Sequence, residues 1–408
     1  MKIFITAFAL ILCPVFCSAS DSSVPRTMNS DGPSMGVESM ELTELWRVGG
    51  EDSDLIFGRI ADVLRHPDGH IYVLDNQLCE VTVISPDGEF VRTLSRKGDG
   101  PGELRQPTSL AFLSDDVLAI GMGFPGKIVS LNLDGTPRPS IYPIGEPAEG
   151  KIGVMMSSKF RDGYLVSSGG RVVFGDQHVK SHTDRFLTVG AGDLTEFHRI
   201  LEATTPVDPS GQHYTEADNY YIDAQWALGA SGKIYAPMTR DTYEVSVFNV
   251  AGNLLRTFGR QYNQRIRTQD EKDDVGPIIN VNGGPPTNDW NIEDKDACIA
   301  RIQYNDDDDT VWVLTPHGDN ETGSILETWD VFSTDGQYLK QVQILLGDEI
   351  EDGDAHLMGG NVMVVVRGTG SSQTADSGDG AEEEDETEVE PLEIICYRVG
   401  QTSGIASK

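Results

Sequence analysis

The chain has 408 residues, 38% of them hydrophobic, and a formal net charge of −34. That length holds one large domain or two ordinary ones. So acidic a surface repels phosphate backbones and anionic bilayers, which argues against nucleic acid and charged membranes as partners.

The first element is a signal peptide over residues 1–19. Lys2 precedes an apolar run over residues 3–16, and Cys17, Ser18, Ala19 and Ser20 supply the small residues that suit cleavage after Ala19. An exported protein is expected, periplasmic or extracellular. Lipidation at Cys13 or Cys17 is disfavoured, because Leu12 and Phe16 occupy positions where a small residue would stand. No later stretch approaches the ~20 apolar residues that span a bilayer. Residues 20–40 read as a flexible leader. Of the remaining cysteines, Cys79, Cys298 and Cys396 fall in different repeats and read as small apolar core residues.

From residue 41 onward a repeat governs the chain. Its second strand starts at Ile71, Val117, Tyr164, Ile234, Val311 and Val362, in steps of 46, 47, 70, 77 and 51 residues. Such spacing is typical of propeller blades wherever no insertion intervenes. The third strands contain Thr82, Ser130, Thr188, Ser246, Asp330 and Cys396. Five of them run into turns ending near Gly88, Gly135, Gly192, Gly252 and Gly336, where glycine supplies a positive φ for a tight hairpin. A fourth strand follows each of those turns. The sixth repeat has none, and the alternating segment over residues 42–48 has the length to fill the gap. An all-β fold follows: a six-bladed β-propeller over residues 41–400, its ring closed by an N-terminal strand that completes the last blade. Residues 401–408 form a tail.

Insertions separate strands at residues 169–184, 203–220 and 261–297, and long loops of this kind often carry function. Residues 369–390 read as a disordered acidic loop, with nine carboxylates between Asp376 and Glu390 and no Lys or Arg among them.

Gly98-Asp99-Gly100-Pro101-Gly102-Glu103-Leu104 with Pro107, the strand Ile71-Tyr72-Val73-Leu74-Asp75 and Gly232-Lys233-Ile234-Tyr235-Ala236 resemble the linkers and strands of NHL-repeat propellers. The whole mature chain resembles the exported, NHL-like six-bladed propellers of bacteria. That resemblance implies a fold; the wider group includes binders of proteins, carbohydrate or nucleic acid, and a minority of enzymes.

The innermost strands, which line a propeller's channel, are expected at residues 59–64, 108–113, 153–158, 222–228, 299–304 and 355–359. They offer Arg59, Asp62, Asp223, Gln225, Arg301, Gln303 and His356 as polar candidates. Lactonase-like propellers hold a divalent metal there with Glu, Asp and Asn; here it would have to rest on Asp62, Asp223 and carbonyl oxygens. Amidating lyases use three channel histidines, and only His356 falls on an inner strand. His178 and His182 have metal-pair spacing but lie in a polar loop. Asp306-Asp307-Asp308-Asp309 and residues 348–354 are dense in oxygen ligands but lack an alternating chelating order, so they read as solvated acidic turns; no cofactor is expected, calcium being the one alternative. No nucleophile elbow, Walker loop or dinucleotide motif occurs; Gly121-Met122-Gly123-Phe124-Pro125-Gly126 reads as a turn. Arg171, Arg240, His317 and Arg367 each follow a second strand, which places them on one face of the disc as candidate ligands for an anion.

The functional expectation is a monomeric binding module recognising a protein, an extracellular polymer such as carbohydrate, or a small anionic ligand. Its rivals are a metal-dependent hydrolase, lactonase or lyase working in the channel, and a calcium-stabilised structural module.

Overall fold

The computed structural model describes residues 24–51, 53–146, 151–175, 180–208, 210–276, 289–319, 324–346, 353–368, 391–400 and 403–404. The expected signal peptide, the acidic loop 369–390, His178 and most of the acidic run 348–354 lie outside the described residues. Among the described residues no helix is long and apolar enough to cross a membrane.

Antiparallel blades follow one another as the repeat predicts. Blade one is built from Ile60–Arg65, Ile71–Asp75, Glu80–Ile84 and Phe90–Leu94. In blade two, Pro107–Ser114, Val117–Met122 and Lys127–Asn132 form three strands only. The expected fourth strand contains Pro137, Pro139 and Pro143, which lack the N–H a ladder needs, and it pairs only through isolated bridges at Pro137 and Ile141. Blade three is the tallest, with Lys151–Arg161, Tyr164–Val173, His182–Ala191 and Phe197–Pro206; much of its expected insertion is lengthened hairpin. Blade four begins with the short inner strand Ala227–Gly229 and ends at Leu254–Arg260. Blade five runs from Arg301–Asn305 to Tyr338–Leu345, and blade six uses Asp354–Leu357, Val362–Arg367 and Glu393–Val399.

Six hydrophobic clusters fill the six seams between successive blades. The cluster joining Val364, Ile394 and Cys396 of blade six to Ile71, Val73 and Ile84 of blade one shows that the ring is closed. Each fully buried Val, Leu or Ile contributes roughly 1.5–3 kcal/mol, so the seams carry the fold. Cys79, Cys298 and Cys396 are buried free thiols.

Closure is made by the strand expected for it. Leu42 to Gly49 pairs antiparallel with Glu393–Val399. Its Trp46 donates an indole N–H to the Pro86 carbonyl at 2.9 Å and covers the turn of blade one. At Gly88 in that turn, a Cβ would lie 2.6 Å from Trp46. The same contact recurs at Gly336, where a Cβ would meet Phe258 of blade four at 2.5 Å. The turn glycines therefore seat the outer strand of the preceding blade as well as supplying φ near +85°.

The leader and tail differ from expectation. Arg26–Asn29 adds a parallel strand to the outer edge of blade four, in register with Thr257 to Arg260. Val37–Gly49 is one strand of 13 residues whose first part, Val37 to Glu41, runs parallel to the outer strand of blade five. Ser403–Gly404 pairs with Glu38 and Ser39 on its other side. Blades five and six thereby merge into one nine-stranded sheet. Exposed edge strands seek partners, and the leader satisfies two of them.

Candidate functional site

Side chains on the inner strands do two things: they bracket neighbouring blades, and they line the channel. Asp62 of blade one accepts the Leu110 N–H of blade two at 2.7 Å, and its other oxygen accepts Val63 N–H at 2.9 Å. The Ser109 hydroxyl of blade two accepts Ser158 N–H of blade three at 3.1 Å. Gln303 of blade five donates to Ala355 O and accepts Leu357 N–H, both in blade six.

Within this girdle lies a cavity of about 540 Å³ that opens at the mouth where the inner strands end. Its charged lining is Arg65, Lys159, Arg161 and Arg301 against Asp62 and Asp306, with His356 beside them. A cationic pocket thus sits inside a protein of net charge −34. Arg161 is held by a bidentate pair with Asp306, one arm at 2.7 Å, and lies over the Tyr304 ring. Arg301 is paired with the buried Glu327 and lies 3.5 Å from Asp354. Lys159 differs. Its ammonium has no hydrogen bond and no ion pair among the described residues, and it lies over the Trp226 ring, 5.2 Å from the ring centroid.

Arg65, Lys159 and Arg161 are the cationic channel residues that sequence reasoning missed, the last two by the widest margin. A bulge between Met155 and Ser157 shifts the alternation of this strand, so the expected inner strand stopped at Ser158. The Asp162-Gly163 pair, both at positive φ, was the available signal that the strand runs on to Arg161.

These groups line the cavity yet sit deep in the ring, so burial governs their ionisation. Burial raises Asp62 from 3.8 to about 6, opposed by the Leu110 N–H and the Lys159 charge. Burial, reinforced by Arg301 and Lys159, lowers His356 from 6.5 to about 4. Burial, reinforced by Arg301 and Arg161, lowers Lys159, with Asp62 acting against it.

A stability test follows. Between about pH 4 and 6 the folded state holds a proton on Asp62 and none on His356, whereas the unfolded state holds one on the histidine and none on the aspartate. The counts match, so this pair leaves stability flat with pH. His356→Asn leaves Asp62, whose contribution is fully present below pH 4 and lost as pH rises through about 6. Asp62→Asn leaves His356, whose contribution is present above pH 6.5 and lost as pH falls through about 4. Urea unfolding across this window should give opposite slopes for the two variants, each up to ~3 kcal/mol. Parallel slopes would contradict the assignment.

A second cavity, about 450 Å³, opens at the opposite mouth between blades three and four, and Met156 lines both. Asp223 lines it, clamped by Arg185 Nη1 at 2.8 and 2.9 Å. Asp62 and Asp223 therefore face different cavities, and the donors expected for a channel metal do not converge. Among the described residues no group of three or more His, Cys, Asp or Glu side chains could hold a metal. The run Asp306 to Asp309 diverges: Asp306 binds Arg161, Asp307 accepts Gly360 and Asn361 N–H, Asp308 accepts the Thr310 hydroxyl and Asp309 that of Tyr304.

The four cations expected to gather at one mouth are placed as follows. Arg171 donates to Ile144 O at 3.0 Å. Arg240 is buried between Glu216 and Asp241. His317 lies 3.1 Å from Asn263 O, and Arg367 lies 3.7 Å from Glu393. None of them lines either cavity.

Residues 51–138 match a family model described as a 6-bladed beta-propeller. The chain is a six-bladed β-propeller. Along 90% of its length this propeller is similar to 99% of a member of the DUF4221 family from Bacteroides vulgatus, at 8% identity and a TM-score of 0.51. It is also similar to a Bacteroides fragilis protein described as exported, at 12% identity over 92% of this chain and 99% of that one, TM-score 0.48. A third similar structure is a gluconolactonase from Xanthomonas campestris, at 11% identity over 88% and 99%, TM-score 0.40. No curated protein matches the propeller. At these identities the likeness concerns the fold.

Proposed function

We propose that this propeller is an exported binding protein whose channel cavity takes a small organic anion. The observation that carries the reading is the Lys159 ammonium, deep in a cation-rich pocket and without a hydrogen bond or direct ion pair among the described residues. An ammonium removed from bulk water is costly until an anion joins it. Arg161 and Arg301 are already held by carboxylates, which fixes their forks while leaving N–H groups for a ligand. A volume of about 540 Å³ suits a molecule of metabolite size rather than a polymer.

Calorimetric titration with pyruvate and with inorganic phosphate tests this. At least one should bind the wild type, and Lys159→Met should weaken it 30-fold or more, since truncating one partner of a buried charge pair costs roughly 2–5 kcal/mol. The same variant should melt higher than wild type without ligand, because burial and the Arg161 and Arg301 charges outweigh Asp62 in disfavouring the ammonium. Equal binding by both proteins, or no binding of either anion by the wild type, would overturn the reading.

A further inference from the structure

Lys159 offers more than a positive charge. Its amine has no hydrogen bond or ion pair among the described residues, burial reinforced by Arg301 and Arg161 disfavours its protonation against the Asp62 charge, and it faces a cavity that also contains the Asp62 carboxyl. Asp62 and Lys159 both line this cavity without being in ion-pair contact. Both Asp62 oxygens are anchored by backbone N–H groups at 2.7 and 2.9 Å, which fixes the carboxyl's direction. The Trp226 ring beneath Lys159 shields the amine from one side. A lysine so placed is the type that attacks carbonyl carbon.

We propose that Lys159 forms an imine with a carbonyl group on the anion held in the channel, the ligand class being small oxo acids or phosphorylated aldehydes. This rests on the anion-binding reading above. The Nζ lone pair attacks the carbonyl carbon, a C–N bond forms, and the carbonyl π electrons move to oxygen. That oxygen takes a proton from Asp62, and the Asp62 carboxylate then accepts the proton released by nitrogen. In the second stage the hydroxyl takes that proton back and leaves as water, while the nitrogen lone pair closes the C=N bond. One water is released and nothing is oxidised or reduced. Asp62, ionising near pH 6, can give and take the proton under ordinary conditions. The anionic end of the molecule meets Arg161 and Arg301.

Pyridoxal 5′-phosphate, an aldehyde carrying a phosphate, is the probe. The full chain is incubated with it near pH 7 and reduced with borohydride, and the labelled peptides are identified by mass. The expected result is an adduct on Lys159 formed at least 10-fold faster than on Lys127, Lys233 or Lys340. Lys159→Arg should abolish that adduct while retaining phosphate binding, and Asp62→Asn should slow its formation 10-fold or more with phosphate affinity little changed. Phosphate binding lost in Lys159→Met, combined with no preferential labelling of Lys159 in the wild type, would overturn the imine alone. Loss of both phosphate binding and labelling in the wild type would overturn the anion site itself.

Discussion

A chain beginning at residue 42 is expected to melt about 10 °C lower than one beginning at residue 24, although both keep the strand that closes the ring. The shorter chain loses the pairings of Arg26 to Asn29 with blade four and of Val37 to Glu41 with blade five. It also loses Asn29, whose amide donates to Gly259 O and Gly336 O at 2.9 Å while its oxygen accepts Tyr338 N–H. At a net ~1 kcal/mol for each of these roughly ten bonds, the sum is on the order of 10 kcal/mol, about 10 °C for a chain of this length. The newly bared outer strands of blades four and five should also promote association. Asn29→Ala alone should cost ~2–3 kcal/mol, because it strands three partly buried backbone groups. Differential scanning calorimetry of the three proteins checks this, and a truncated chain melting within 2 °C of the longer one would restore the picture of a loose leader.

The second large effect is expected at Asp330. In the middle of each third strand the repeat places one buried residue, and in the other five blades it is Thr82, Ser130, Thr188, Ser246 or Cys396, small and uncharged. Blade five puts a carboxylate there. It accepts the hydroxyls of Tyr243 and Tyr338 at 2.7 and 2.6 Å, Arg260 Nε at 2.7 Å and Gln341 Nε2 at 3.0 Å. The Arg260 guanidinium is stacked among Tyr243, Tyr262 and Tyr338 and reaches out to Asp31 before the leader joins blade five. Asp330→Ser returns this blade to the residue type of its siblings, yet it leaves a buried guanidinium with only the exposed Asp31 as counter-charge and should cost ~3–5 kcal/mol. If chemical denaturation shows the serine variant within 1 kcal/mol of wild type, Asp330 is only a filled repeat position. Asp330→Ser combined with Arg260→Met should recover much of the loss, since no buried charge then remains.

The sequence made the repeating parts legible because they are local. Strand, turn and strand lie within 25 residues of one another, and Gly88 or Gly336 marks the turn directly. The closing strand was readable from a deficit in blade six. Arg26–Asn29 was not, since a four-residue polar strand has no alternation of its own and meets a partner some 230 positions away. In blade two the three prolines were visible and should have ruled out a regular fourth strand. At the site, Asp62, Arg301, Gln303 and His356 were placed correctly on inner strands by the repeat. Lys159 and Arg161 were lost to a bulge that pattern reading skips over, and the pairings of Arg240 and Arg367 with Glu216 and Glu393 depend on contacts between distant segments.

The 13-residue strand Val37–Gly49 also sets an order of events. It is synthesised early, but its partners are Gln341 to Leu345 and Glu393 to Val399, near the far end of the chain. During synthesis, blades one to four can form their internal hairpins while this strand still lacks any partner. The slow step of folding is then a loop closure spanning nearly the whole polypeptide, whose entropic cost grows only logarithmically with length but must be met before its contacts form. Until that moment the nascent protein is an open arc with two unpaired ends. For the export proposed above this is an advantage: the chain stays threadable until blade six has emerged, and it locks once it has.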